Sequence, residues 1–314
     1  MSGEQQGSKV TSHSASHHKS DSSGESNNQS TSKSSSTSRR RRDDEQVHVA
    51  LFVTCLVDIY RPNVGFASIR LLEDAGCKVS VPSAQTCCGQ PAFNSGETKN
   101  AREIARNTIA ALAGFEYVVV PSGSCAGMLK HHYPELLAAE SDAESAIELA
   151  SRVYELTEFL SDVMPETSTD SDTASVPSSP SNSTAAAEKM TVTYHDGCSG
   201  LREMGIREQP RQLLAKVDGL TLNEMEDTEV CCGFGGTFCV KYPEISERLV
   251  TDKVALANQT GAELLLAGDL GCLLNMAGRI KRLDLPIRSY HVAEVLAGMA
   301  DGPAIGEPAG KEGD

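Results

Sequence analysis

Two adjacent cysteine pairs, each running into a glycine, constrain this chain more than anything else in it: Cys87-Cys88-Gly89 and Cys231-Cys232-Gly233. Neighbouring cysteines seldom bond each other, because the small ring that results is strained outside ordinary disulfide geometry. Their thiols suit a polynuclear metal centre instead, where each sulfur meets a different metal atom. Each pair is also framed by one cysteine before it and one after. Between Cys55 and Cys87 lie 31 residues, and between Cys198 and Cys231 lie 32. Between Cys88 and Cys125 lie 36, and between Cys232 and Cys272 lie 39. Four cysteines recurring in matched order mark an internal duplication.

The hydrophobic pattern around each set supports the same conclusion. In the first half, residues 47–53 form a mostly apolar run of strand length ending near Cys55. Pro62 opens a helix that Gly76 stops, 78–81 is a second short strand, and 97–113 has helical spacing (Ala101, Ile104, Ala105, Ile109, Leu112). Residues 117–120 are a third strand, followed by Cys125. Residues 141–163 read as one acidic amphipathic helix with Ile147, Ala150, Tyr154 and Phe159 or Leu160 turned inward. The second half repeats the order: a strand at 190–195, a helix containing Pro210, a strand at 220–225, a helix at 244–259 and a strand at 264–267. A short strand near Ile287 and a helix at 292–298 complete it.

Strands alternating with helices predict an α/β fold of two tandem pseudo-symmetric repeats, with mainly parallel sheets flanked by helices. The repeats are expected at 47–163 and 189–298. They are joined by a Ser/Thr/Pro-rich linker or insertion at 164–188 and followed by a flexible tail at 299–314. Residues 1–46 are polar and low in apolar side chains, and read as a disordered tail. His13, His17 and His18 belong to that tail. So does the basic run Arg39-Arg40-Arg41-Arg42, whose field is cancelled by Asp43-Asp44-Glu45.

Charge excludes one class of partner. The net charge is −15, and residues 1–46 hold seven basic and six acidic residues, so the remainder carries −16. An acidic body argues against nucleic acid. No secretory leader or apolar run of membrane-helix length is apparent, so the expectation is a cytoplasmic protein without a transmembrane segment. Ten cysteines in a reducing compartment point to metal or redox chemistry rather than disulfides.

Parallel sheets place functional groups at the carboxyl ends of their strands, where all eight repeated cysteines fall. Four thiolates per repeat match a 4Fe–4S cluster or a tetrahedral zinc. The spacing lacks the paired C-x-x-C knuckles of structural zinc, because Met128 and Asn275 stand three residues after Cys125 and Cys272. The glycine beside each pair offers backbone N–H groups to the sulfurs. Both features favour a cluster, one or two per chain, with zinc as the alternative. Cys239, inside the second glycine-rich turn, is a possible fifth ligand; Cys77 reads as a small buried side chain. His195, three residues before Cys198, reads either as an aid to proton movement or ligand orientation, or as a structural histidine. His131-His132 reads as surface. Neither G-x-G-x-x-G nor a Walker loop is present, and no catalytic residue stands out, which fits an electron-transfer subunit whose partner holds the substrate.

The stretches LFVTCLVDIYRPNVG, QTCCGQPAFNSG, CCGFGGTFCVKYPEIS and GDLGCLLNMAGR resemble the tandem cysteine-rich "CCG" family. That family includes the cysteine-rich subunit of heterodisulfide reductase, the iron–sulfur subunit of glycolate oxidase and, closest here, the lactate utilisation protein A family. The resemblance covers residues 47 to about 298. It implies an iron–sulfur subunit, non-catalytic or co-catalytic, of an oxidoreductase that converts L-lactate to pyruvate with an iron–sulfur protein and a further partner. It also implies that Cys55, Cys87, Cys88 and Cys125 ligate one centre, and Cys198, Cys231, Cys232 and Cys272 the other. Met128 and Asn275 replace the last cysteine of the heterodisulfide reductase pattern, so four ligands per repeat are expected rather than five. A zinc-stabilised scaffold and a thiol–disulfide redox protein are the alternative readings.

Overall fold

The computed structural model describes residues 46–164 and 189–308. The expected tail at 1–46, with its arginine run and histidines, and the linker at 164–188 lie outside these residues except for Gln46 and Met164.

Each repeat is built on a four-stranded sheet in which every neighbouring pair is parallel. The first sheet contains β1 (His48–Leu51), β2 (Lys78–Ser80), β3 (Tyr117–Val120) and β4 (Val153–Glu155), in spatial order β2-β1-β3-β4. The second contains β5 (Met190–His195), β6 (Leu220–Leu222), β7 (Leu264–Ala267) and β8 (Arg288–His291), in the matching order β6-β5-β7-β8. In register, Leu51 pairs with Val119 and Tyr194 with Leu266. Strand order reverses between β1 and β3, and again between β5 and β7, so the crevice of each sheet opens at the carboxyl ends of those two strands.

The strands are nearly continuous apolar runs because both faces are covered. In the first sheet, Ala50, Phe52, Val118 and Val120 face a core made within that repeat. Val49, Leu51 and Val119 face a second core, which also holds Val192, Tyr194, Leu265 and Tyr290 of the other repeat. Helices of one repeat also pack on the other: Pro62–Asp74 lies against Val292–Leu296, and Cys198–Arg202 against Gly123–Gly127.

The element expected at 141–163 is different from its sequence pattern. Helix Ala143–Ala150 stops before β4, and the chain re-enters helix at Leu156. Val153 and Tyr154 pair with β3, and Tyr154 joins Tyr117 and Phe159 in an aromatic cluster with centroids 5.3–6.0 Å apart. Ile147, expected inside, is exposed. Within 299–308, Ala304 and Ile305 are buried, and the Ile305 N–H donates to the Ser289 carbonyl at 2.9 Å; 309–314 lie outside the described residues.

Candidate metal centres

The same local devices deliver the cysteines in both repeats. Cys55 begins helix Cys55–Tyr60 after β1, and Cys198 begins helix Cys198–Arg202 after β5. Behind the double cysteines, Gly89 and Gly233 hold φ of +85° and +80°, a conformation that side chains disfavour. These turns aim the glycine N–H back at the first sulfur of the pair, 3.4 Å from Cys87 Sγ and 3.3 Å from Cys231 Sγ. Space adds a second demand at Gly233, where a Cβ would stand 2.7 Å from the Ser246 carbonyl oxygen. The fourth cysteine rides the helix after the third strand of its repeat. Ser122 Oγ accepts from the Cys125 N–H at 3.3 Å, and Asp269 Oδ1 accepts from the Gly271 N–H at 3.1 Å beside Cys272.

The result is a chain of four sulfurs in each repeat. Cys55 Sγ lies 3.7 Å from Cys87 Sγ, and Cys88 Sγ lies 3.2 Å from Cys125 Sγ. Cys88 donates its proton to Cys125, and its sulfur also interacts electrostatically with the neighbouring Cys87. In the second repeat the sulfurs of Cys232 and Cys272 lie within 4.8 Å of each other, and Cys231 interacts electrostatically with Cys198 and Cys232. These interactions concentrate negative charge on the central thiol. The hydrogen bond from Cys55 and the interaction with Cys88, with help from the Gly89 N–H, hold Cys87 down to about 3. Cys198, Cys232 and the Gly233 N–H hold Cys231 down to about 2. Cys55, Cys88, Cys198 and Cys232 are pushed up by their neighbouring sulfurs and by burial. Four soft donors with one ready thiolate fit a thiophilic metal ion or a cluster.

The cysteine-rich CCG domain model matches this sequence twice, at residues 49–130 and 192–277. Over 249 residues the chain is 44% identical to lactate utilization protein A of Bacillus cytotoxicus and 45% identical to that of Geobacillus kaustophilus. In both cases the alignment covers 79% of this chain and 98% of the relative. The chain belongs to the lactate utilization protein A family, within the CCG domain proteins. Its fold is also similar to that of a solved hypothetical protein from Helicobacter pylori, with a TM-score of 0.54 at 11% identity over 84% of this chain. The chain spans half the length of that protein, 50%.

In this lactate utilization protein A family member, the two sulfur chains have different surroundings. Three residues before Cys55 stands Phe52; three before Cys198 stands His195, and both are fully buried. Neither ring nitrogen of His195 has a hydrogen-bond partner among the described residues. One of those nitrogens, Cys232 Sγ and Cys272 Sγ lie within 4.8 Å of one another. Burial pushes His195 down to about 3, so the ring is neutral. The next position is Val53 in the first repeat and Asp196 in the second, where Arg211 grips the buried carboxylate with two bonds of 2.9 and 3.0 Å. Lys253, also buried, donates to the carbonyls of Asp227 and Thr228 at 3.0 and 2.7 Å and fastens the loop that leads to Cys231. Burial draws Lys253 down to about 8. Gly89 faces Ile104 as Gly233 faces Leu249, and four residues further on Thr108 occupies the place of Lys253.

Sequence reasoning missed the residues that brace the double cysteines. Tyr133 Oη donates to the Cys88 carbonyl at 2.8 Å, and Asn275 Nδ2 donates to the Cys232 carbonyl at the same distance. Asn275 was visible as the residue standing where a C-x-x-C would end; Tyr133 had no signal. Cys239 donates to the Gly236 carbonyl at 3.5 Å, and the sulfur chain runs without it. Cys77 is buried against Met164 Sδ at 3.5 Å. His132, expected at the surface, is half-buried between the Phe93 ring, 4.8 Å away, and Glu203 at 3.4 Å, because the two repeats meet there; His131 is exposed.

Proposed function

We propose that this chain is an iron–sulfur electron-relay subunit in lactate utilisation. It would act in the cytoplasm with partner subunits that oxidise L-lactate to pyruvate. The observation that carries the reading is the duplicated chain of four sulfurs, and the names of the relatives supply the link to lactate. Cys55, Cys87, Cys88 and Cys125 would hold one centre, and Cys198, Cys231, Cys232 and Cys272 the other. A cluster bound there accepts and returns single electrons. The protein's own part is to keep one thiolate ready at each site, to direct a glycine N–H at it, and to brace each cysteine pair through Tyr133 or Asn275. Such N–H contacts stabilise negative sulfur and tune potential.

Protein purified without oxygen is expected to be brown, with several iron and sulfide per chain and an EPR signal on reduction. Cys232→Ala should lose one centre and keep the other. Colourless protein with stoichiometric zinc would overturn the reading. Zinc is the second reading because the 3.7 Å separation of Cys55 and Cys87 is close to the edge, about 3.8 Å, of a tetrahedron with Zn–S bonds of about 2.3 Å. The same metal analysis separates the two.

A further inference from the structure

We propose that His195 supplies a nitrogen ligand to the centre of the second repeat, beside Cys232 and Cys272, so that the two centres of the chain differ chemically. The inference rests on reading the second repeat as a metal centre, and it names a ligand that the cysteine pattern does not contain.

Three observations carry it. His195 is fully buried, yet both ring nitrogens are without hydrogen bonds among the described residues. A buried polar atom left unsatisfied is costly, and a position held at that cost calls for a partner. Second, the ring lies among ligand atoms: a nitrogen and the sulfurs of Cys232 and Cys272 fall within 4.8 Å of one another. Third, Phe52 fills the matching place in the first repeat, fully buried, which shows that the fold needs only a ring there. An imidazole in that place adds a donor and little else. Coordination would satisfy one of its nitrogens.

The difference has a direction. Imidazole is a neutral donor, so where His195 takes a place that one of the four thiolates would otherwise hold, the potential of an iron–sulfur centre there is raised. Lys253, buried in the same repeat, acts in the same sense, since a nearby cation favours the more negative, reduced state. In the first repeat Thr108 and Phe52 provide neither effect. Electrons entering the chain would therefore move from the first centre to the second.

Pulsed EPR of reduced protein grown with 15N-histidine tests the ligand, with His195→Phe measured beside it. If the metal is zinc, cobalt(II)-substituted protein is measured in the same way. The labelled wild type should show a directly coordinated histidine nitrogen. His195→Phe should lose that coupling while the metal content and spectrum of the first centre persist. Metal-replete wild type with no histidine coupling overturns the inference, as does an unchanged coupling in the variant. If His195→Phe fails to fold, the labelled wild type decides alone. Wild type that binds no metal at the second repeat overturns the proposed function itself, which is a different outcome.

Discussion

Glu155 closes β4 with a carboxylate that is 2% exposed, beside the junction of the repeats. One oxygen accepts from the N–H groups of Thr157 and Glu158; the other has no partner among the described residues and faces Gly268. Burial pushes its pKa from the ordinary 4.5 up to about 7. The folded protein therefore holds this proton more tightly than the unfolded chain does. The contribution to stability is complete below pH 4.5 and is lost as pH rises to about 7. By linkage the loss is roughly 3 kcal/mol. Glu155→Gln keeps an accepting oxygen and removes the charge, so the wild-type urea midpoint should fall relative to the variant's from about pH 5 to 8, over the pH dependence that buried His195 gives both proteins. Parallel profiles for the two proteins would sink this account. The pattern of 141–163 hid Glu155, because helical periodicity continues through β4 and only pairing with β3 interrupts it. Tyr133 escaped for a related reason: nothing in the sequence tells which carbonyl a tyrosine will reach.

At the scale of elements, the repeats meet where helix Gly123–Gly127 crosses helix Cys198–Arg202. A Cβ on Gly123 would stand 2.7 Å from Gly200 Cα and 2.8 Å from Gly200 N, so one backbone must shift. A Cβ on Gly200 meets only Gly123 Cα, at 3.9 Å, an ordinary contact. Gly123→Ala is expected to destabilise by about 2 kcal/mol, and Gly200→Ala to be nearly neutral, as read from urea midpoints. Equal losses in the two variants would show that the close approach is not what limits the crossing. Most elements on either side of this junction were legible. The strand at 264–267 matches β7, and the expected helices at 97–113 and 244–259 match Thr98–Ala111 and Pro243–Gln259 to within two residues at each end. Those segments carry strong periodicity bounded by glycine or proline. β4 carried neither boundary, and it was missed.

For the whole molecule, one core contains residues of both sheets, so the repeats should not unfold separately. Arg61 adds a directed link. Its Nε lies 2.9 Å from Glu294 Oε1, a fully buried carboxylate in the other repeat that also accepts from Asn63 at 2.8 Å. Arg61→Ala leaves that charge short of its partner and should cost about 3 kcal/mol. The loss should appear in one cooperative transition, which circular dichroism and tyrosine fluorescence report together in a protein without tryptophan. Two separated transitions, with only one of them moved by the substitution, would show that the repeats are independent.

The sequence by itself determined the duplication, the α/β class and the eight cysteines to watch, because periodicity and residue spacing are local properties of the chain. Asn275 was already marked as the break in C-x-x-C, and His195 as the neighbour of Cys198. Only the tertiary structure decided that Asn275 donates to the Cys232 carbonyl. It alone left His195 without a hydrogen-bond partner among the described residues, beside two sulfurs where Phe52 sits in the other repeat. Those facts depend on what other segments place around a side chain once the sheets close, and burial and partner choice are set by packing across the chain rather than along it.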